Sequence, residues 1–279
     1  MLNFRQLLAA FFLLAGLATV PAQAETFHTC GTTINTIPTV ITTQGVYCLS
    51  HDVATAITSG NAIDIQTNNV TLDCNGYKVG GLAAGSSSLA IGVHAAATRQ
   101  NITVRNCGIR GFYAGINLQG GAGHLVEDNR LDNNLSVGIE VAGDNNRVRR
   151  NAVYDTGGNA TDTSIGIFAS AELVDNTVAG VFSVATNTSA LGISMGGTNE
   201  VRNNVISGVT ATGTGLAYGI LAGYGSVLRN NTITADSTTN GIGISGNGIV
   251  SETICSGNII HKYSTPTFSC TDAGGNFNN

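Results

Sequence analysis

The chain has 279 residues, a formal net charge of −5 and only 10% charged residues against 42% hydrophobic ones. So few charges leave Asn, Thr, Ser and Gly to build the solvated surface, as in a β-rich extracellular protein, and ordinary soluble domains carry ~25%. With twelve Lys and Arg in all there is no basic patch to neutralise phosphates, which argues against nucleic acid as a partner.

Residues 1–24 read as a secretory signal peptide. Arg5 supplies the positive start, Leu7 to Leu17 the apolar run, and Ala22-Gln23-Ala24 a small-residue cleavage site. The mature chain then begins at Glu25 and loses one positive charge, so its balance is −5 − 1 = −6. The apolar run is too short to span a bilayer, and no later segment is long and apolar enough, so the mature chain has no membrane span. Six cysteines behind such a signal point to disulfides in a periplasmic or secreted protein.

Residues 25–60 precede the regular pattern and read as an N-terminal cap with Cys30 and Cys48 paired as its staple. From residue 61 to 260 one pattern returns. It begins with VTLDCNGYKV at Val70 and VRNCGI at Val104, and continues with VEDNRL at Val126 and VRRNAV at Val148. LVDNTV, VRNNVI, VLRNNTI and ICSGNII follow, from Leu173, Val201, Val227 and Ile254. One position in each holds Cys or Asn: Cys74, Cys107, Asn129, Asn151, Asn176, Asn204, Asn231 and Asn258. A Gly-Ile or Gly-Val pair sits ahead of most of them, from Gly92 through Gly115, Gly138, Gly166, Gly192 and Gly219 to Gly243.

The period is ~22–33 residues, within the solenoid range. The runs are short, β-branched and alternating, and Gly and Asn bound them, so they read as strands and turns. No repeat can bury a core alone; stacking buries Ile, Val and Leu as continuous columns. The recurrent Asn suits a tight turn, because it tolerates the left-handed conformation and its amide can bond a stacked neighbour. The expected fold is all-β, a parallel β-helix solenoid of about eight rungs. The Leu frame of a leucine-rich repeat, the ~40-residue period of a propeller and the six-residue period of a left-handed β-helix are all missing.

These motifs resemble the right-handed parallel β-helix, pectin-lyase-like superfamily, over roughly residues 61–260. The resemblance implies the fold far more than an activity, because the superfamily holds lyases, hydrolases, epimerases and non-catalytic adhesins. The Arg-x-x-Pro-x-x-Arg element of pectate lyases is absent, since no Pro lies between Pro38 and Pro266. The Asp-Asp and Gly-His-Gly elements of polygalacturonase-type hydrolases and the Asp-Pro-His of alginate epimerases are absent too.

Cys74 and Cys107 hold the same turn position in successive rungs. Strands ~4.8 Å apart fall inside the separation a disulfide accepts. Cys255 and Cys270 bracket the last rung and a C-terminal cap over 261–279, and are paired as its staple. The cysteines show no metal-ligand spacing, and no metal or cofactor is expected.

The extra residues of the longer repeats fall before the Gly-Ile strand, at Gly80, Asp155, Ser183, Thr210 and Asp236. Stacked on one edge, such loops frame a surface. On that strand the residue after the inward Ile points out. Up the coil the column reads Asp64, His94, Asn117, Glu140, Phe168, Ser194, Leu221, Ser245. A second outward column follows the Asn turn: Lys78, Arg110, Asp132, Tyr154, Ala179, Ser207, Thr234. Together they suggest a groove in the N-terminal half suited to polysaccharide. His94 or Tyr154 is the candidate base, and Glu140 with Asp132 the candidate acid and base of a glycosidase. Arg110 or Asn117 would face a substrate carboxylate, with Asp64 binding alongside. A third column, Arg105, Glu127 and Arg149, alternates in sign and reads as cross-strand pairing. Two functions fit: a carbohydrate-binding protein, in its specific version a polysaccharide lyase or hydrolase, and a non-catalytic envelope or adhesive protein.

Overall fold

The computed structural model describes residues 30–197, 199–236, 240–246 and 252–279; the signal peptide expected over 1–24 lies outside them. The described chain is a right-handed parallel β-solenoid of about nine turns with almost no helix. Each turn contributes a strand to each of three parallel sheets. In one representative turn, Ile91–Ala95 belongs to sheet one, Ile102–Arg105 to sheet two and Gly108–Arg110 to sheet three. In two turns the strand runs unbroken from sheet one into sheet two, over Val137–Arg149 and Ser164–Val174.

The alternation drives the packing. In sheet one, Ile63, Val93, Ile116, Ile139, Ile167, Ile193, Ile220 and Ile244 stack in register and are fully buried. Val104, Val126, Val148, Leu173, Val201 and Leu228 do the same in sheet two. Val79, Ile109, Leu131, Val153, Val178, Ile206 and Ile233 do so in sheet three. Each such side chain contributes ~1.5–3 kcal/mol by leaving water, and no single turn could bury it without its neighbours.

The glycine of the Gly-Ile pair is needed for space. Both it and the next residue turn inward, so the strand bends. A Cβ on Gly138 would lie 2.5 Å from the Gly166 carbonyl oxygen and 2.6 Å from Val153 Cγ1. Equivalent clashes meet Gly92, Gly166, Gly192, Gly219 and Gly243.

Between sheets two and three the Asn residues form a ladder. Asn176 Oδ1 accepts from the Asn151 backbone N–H and side-chain amide, both at 3.0 Å. Asn176 Nδ2 donates to Val148 O (2.9 Å) and to Asn204 Oδ1 (3.0 Å). The pattern repeats through Asn204, Asn231 and Asn258 to Asn276. One expectation is corrected here. In the ladder from Asn129 onward the left-handed residue precedes the Asn: Asp128, Arg150, Asp175, Asn203 and Asn230 have φ of 53° to 57°. The ladder Asn itself turns inward, where its amide replaces backbone partners that the turn cannot supply.

The three disulfides are Cys30–Cys48, Cys74–Cys107 and Cys255–Cys270. The middle one joins adjacent rungs at the ladder position, with Cα atoms 4.7 Å apart. Asn129 continues the ladder from there, its Oδ1 accepting from the Cys107 N–H. The solenoid reaches into both segments read as caps: Thr39–Ile41 pairs with Asn61–Ile65, and Thr265–Phe268 with Gly241–Ser245. Among the described residues no helix is long and apolar enough to cross a membrane.

Candidate functional site

The loops that precede sheet one stack on its edge and reach across rungs. Tyr113, just before Ala114–Leu118, donates its hydroxyl to Asp162 Oδ2 at 3.1 Å. Asp162 belongs to the loop of two turns later. This pair borders the outward column of sheet one, where Asp64, His94, Asn117, Glu140 and Phe168 lie in direct register.

Asp64 Oδ1 lies 2.6 Å from His94 Nδ1. Asn61 Nδ2 donates to the same oxygen at 3.0 Å and Gln66 Nε2 to Asp64 Oδ2 at 2.7 Å. A carboxylate against Nδ1 holds the proton there, which leaves Nε2 as the acceptor and potential base. The 3.1 Å approach of Asn61 Nδ2 to His94 Nδ1 is then a contact between two donors, and Asn61 bonds Asp64 instead. Burial alone would raise the Asp64 pKa. The hydrogen bonds from His94, Gln66 and Asn61 outweigh it and hold the carboxyl below its ordinary range.

One rung on, Asn117 Nδ2 donates to Glu140 Oε2 at 2.9 Å. Asn117 is buried, and its Oδ1 has no partner. An orphaned acceptor costs ~1–3 kcal/mol, and this oxygen is closed off from solvent. Burial pushes the Glu140 pKa up, so its protonated form persists to higher pH than for an exposed Glu. Phe168 follows in register as a half-buried apolar wall. The column therefore sets an oriented imidazole, a buried amide and a proton-holding carboxyl in sequence. His94 and Glu140 are two rungs, ~10 Å, apart along the backbone.

The second predicted column is on sheet three, away from these groups. Arg110 Nη2 lies 3.3 Å from Asp132 Oδ2, and Arg130 covers the Tyr154 ring at 4.5 Å. The residue level with Arg110 one rung below is Gly80; Lys78 pairs with Gly108 instead, which corrects its place in the column. The third column holds Arg105, Glu127 and Arg149 in register on sheet two. Arg149 and Arg150 both reach Glu127 at 2.8 Å, while Arg105 turns to Asp73 at 2.8 Å. Among the described residues no group of three His, Cys, Asp or Glu gathers as metal ligands do.

Four residues of the sheet-one site were not expected: Asn61, Gln66, Tyr113 and Asp162. The first two carry no signal beyond lying near Asp64. Asp162 sits in the longest of the inserted loops, DTGGNATDTS, and its length was the one available hint.

Comparison with known proteins agrees with this architecture. No curated protein matches the chain. Among solved structures it is similar to the Dettilon tailspike protein, with TM-score 0.47 and 17% identity over 89% of this chain and 59% of that one. It is also similar to the catalytic domain of a GH87 alpha-1,3-glucanase, with TM-score 0.40 and 13% identity over 88% of this chain and 63% of that one. The A-module of the Azotobacter vinelandii mannuronan C-5 epimerase AlgE6 gives TM-score 0.34 and 14% identity, over 90% and 91%. The model of the right-handed beta helix region matches residues 44–206, more than half of the chain. The rung pattern, the buried columns and that match together make the chain a member of the right-handed β-helix family.

Proposed function

We propose that this β-helix works in an oxidising compartment outside the cytoplasm, where it hydrolyses a neutral polysaccharide on the outer face of sheet one. The observation that carries the proposal is the single column of His94, Asn117 and Glu140, with His94 oriented by Asp64 and Glu140 kept inclined to hold its proton. Glu140 would protonate the glycosidic oxygen as the C–O bond to the leaving sugar breaks. His94 Nε2 would take a proton from the water that forms the new C–O bond. Phe168 would bound the site.

Hydrolysis is favoured over elimination by the surrounding charge. Asp64, Glu140 and Asp162 make the face acidic, and Arg110, the group best able to neutralise a uronate, is tied to Asp132 on sheet three. Elimination needs that neutralisation.

The test is a depolymerisation assay on neutral and uronic plant, algal and bacterial polysaccharides, following reducing ends and the ultraviolet absorbance of unsaturated products. The expected result is new reducing ends without unsaturation, lost in Glu140→Gln and in His94→Ala. Unsaturated product would overturn hydrolysis in favour of a lyase. Silence of the folded protein across the panel would overturn it in favour of a non-catalytic adhesive or envelope role.

A further inference from the structure

A pronounced concavity lies on a different edge from the proposed catalytic face. A trough of about 960 Å³ follows the corner between sheets one and two. It crosses four successive turns, represented by Gly123, Asn145, Ser170 and Gly197, and three rung spacings make it ~14 Å long.

Its shape follows from the sequence of the corners. GAGH, AGDN and MGG supply glycines where other solenoid corners would project side chains. A Cβ on Gly143, at φ +101°, would lie 2.3 Å from the Gly121 carbonyl oxygen, and one on Gly196 would lie 2.6 Å from Ser170 Oγ. The floor is therefore backbone. Beneath it His124 is buried and neutral-leaning, its Nε2 donating to Gly120 O at 2.7 Å and its Nδ1 accepting from the Ile102 N–H at 3.3 Å.

The walls are polar and their charges nearly cancel. Arg147 and Arg149 line it together with Asp144, Glu172 and Glu200. Glu172 holds Arg147 and Arg202, each at 3.0 Å, and Glu200 holds Arg229 at 3.6 Å. Cations already engaged by carboxylates offer little to a polyanion. Side by side, guanidinium donors, amides that both donate and accept, and carboxylate acceptors match hydroxyl groups, which do both.

We propose that this trough is a second carbohydrate site, holding a neutral oligosaccharide chain along the solenoid axis. It lies apart from the His94–Glu140 column and does not depend on the chemistry proposed there. A chain held on this edge would tether the protein to a polymer while sheet one works elsewhere on it, and the gain would be one of effective concentration.

The experiment is calorimetric titration of the full chain with hexasaccharides of β-1,4-glucan, β-1,3-glucan and β-1,4-mannan, with hexagalacturonate as the anionic probe. Arg147→Ala removes a wall donor that is 63% exposed, and Ser170→Trp fills the centre of the trough. Thermal unfolding verifies that both variants are folded. The expected result is saturable binding of at least one neutral probe to Glu140→Gln, which does not turn it over, weakened ten-fold or more when either trough substitution is added. Binding kept at full strength when either trough substitution is present would assign the sugar to sheet one and overturn the second site. Binding confined to hexagalacturonate, or no binding of any neutral probe, would overturn it as well.

Discussion

Asn117 donates its amide N–H to the Glu140 carboxylate across one rung, 2.9 Å away, and leaves its own buried carbonyl oxygen without a partner. The pair is costly in a solenoid whose other buried amides are mostly satisfied on both sides.

The cost of Glu140 has a pH signature. Its folded pKa is raised by burial, so folding favours the protonated form. The stability this group contributes is fully present below the unfolded carboxyl pKa and is lost as pH rises through the folded value. Glu140→Gln, which mimics the neutral form, should therefore raise the melting temperature at pH 8 and leave it unchanged at pH 3.5. Thermal unfolding at the two pH values measures this; a variant equally shifted at both would show that ionisation is not the cause.

His124 behaves in the opposite sense to Glu140. Burial lowers its pKa despite the bond to the Gly120 carbonyl, so the folded state binds fewer protons than the unfolded chain near pH 6. Its contribution is present above ~6.5, the ordinary His value, and is lost as pH falls towards the folded pKa. Protonation at Nδ1 would also orphan the Ile102 N–H. Denaturant unfolding between pH 7.5 and 5 should show wild-type stability falling more steeply than that of His124→Gln.

The Asn ladder is a structural element of high energy density. Asn176→Ala removes four hydrogen bonds to buried neighbours in the rungs on either side, two accepted by Oδ1 and two donated by Nδ2. Each buried group left unpaired costs ~1–3 kcal/mol, so a loss of about 3 kcal/mol or more is expected in urea unfolding. An effect below 1 kcal/mol would mean that water or backbone adjustment replaces the amide.

Gly138→Ala tests the packing argument for the Gly-Ile pair. The added Cβ meets the Gly166 carbonyl and Val153 at about van der Waals overlap distances, and overpacking of this kind costs ~1–3 kcal/mol. Ala62 already occupies the equivalent place in an earlier turn without harm. The substitution should destabilise at Gly138 while Ala62→Gly, which opens space, should cost less; unfolding midpoints compare the two.

The fold was legible because its signal is repeated. Eight ladder positions and seven Gly-Ile pairs over-determine the register, and His94, Asn117 and Glu140 fall in one column as the alternation requires. The disulfide between Cys74 and Cys107 followed from the same logic of equivalent positions. The site was less legible. Alternation reports which way a side chain points and says nothing of which sheets converge, so Arg110, Asp132 and Tyr154 were grouped with residues of another sheet. Tyr113 and Asp162 meet only because a loop bends back over two rungs. Lys78 was misplaced because VTLDCNGYKV carries three residues more between its Cys and its next strand than VRNCGI does in its tighter turn. The trough is made by glycines whose missing side chains leave no positive mark in a sequence.

The central claim is that sheet one is where polysaccharide is engaged and cut. Hydrogen–deuterium exchange of the protein with and without the polysaccharide it depolymerises tests this most directly. The account predicts that Glu140→Gln, which binds without turnover, shows slowed exchange in Ile91–Ala95, Ala114–Leu118 and the first half of Val137–Arg149, and in the loop that carries Asp162. Protection confined to the strands of sheet three, around Arg110, Asp132 and Tyr154, would contradict it and move the site to the other column.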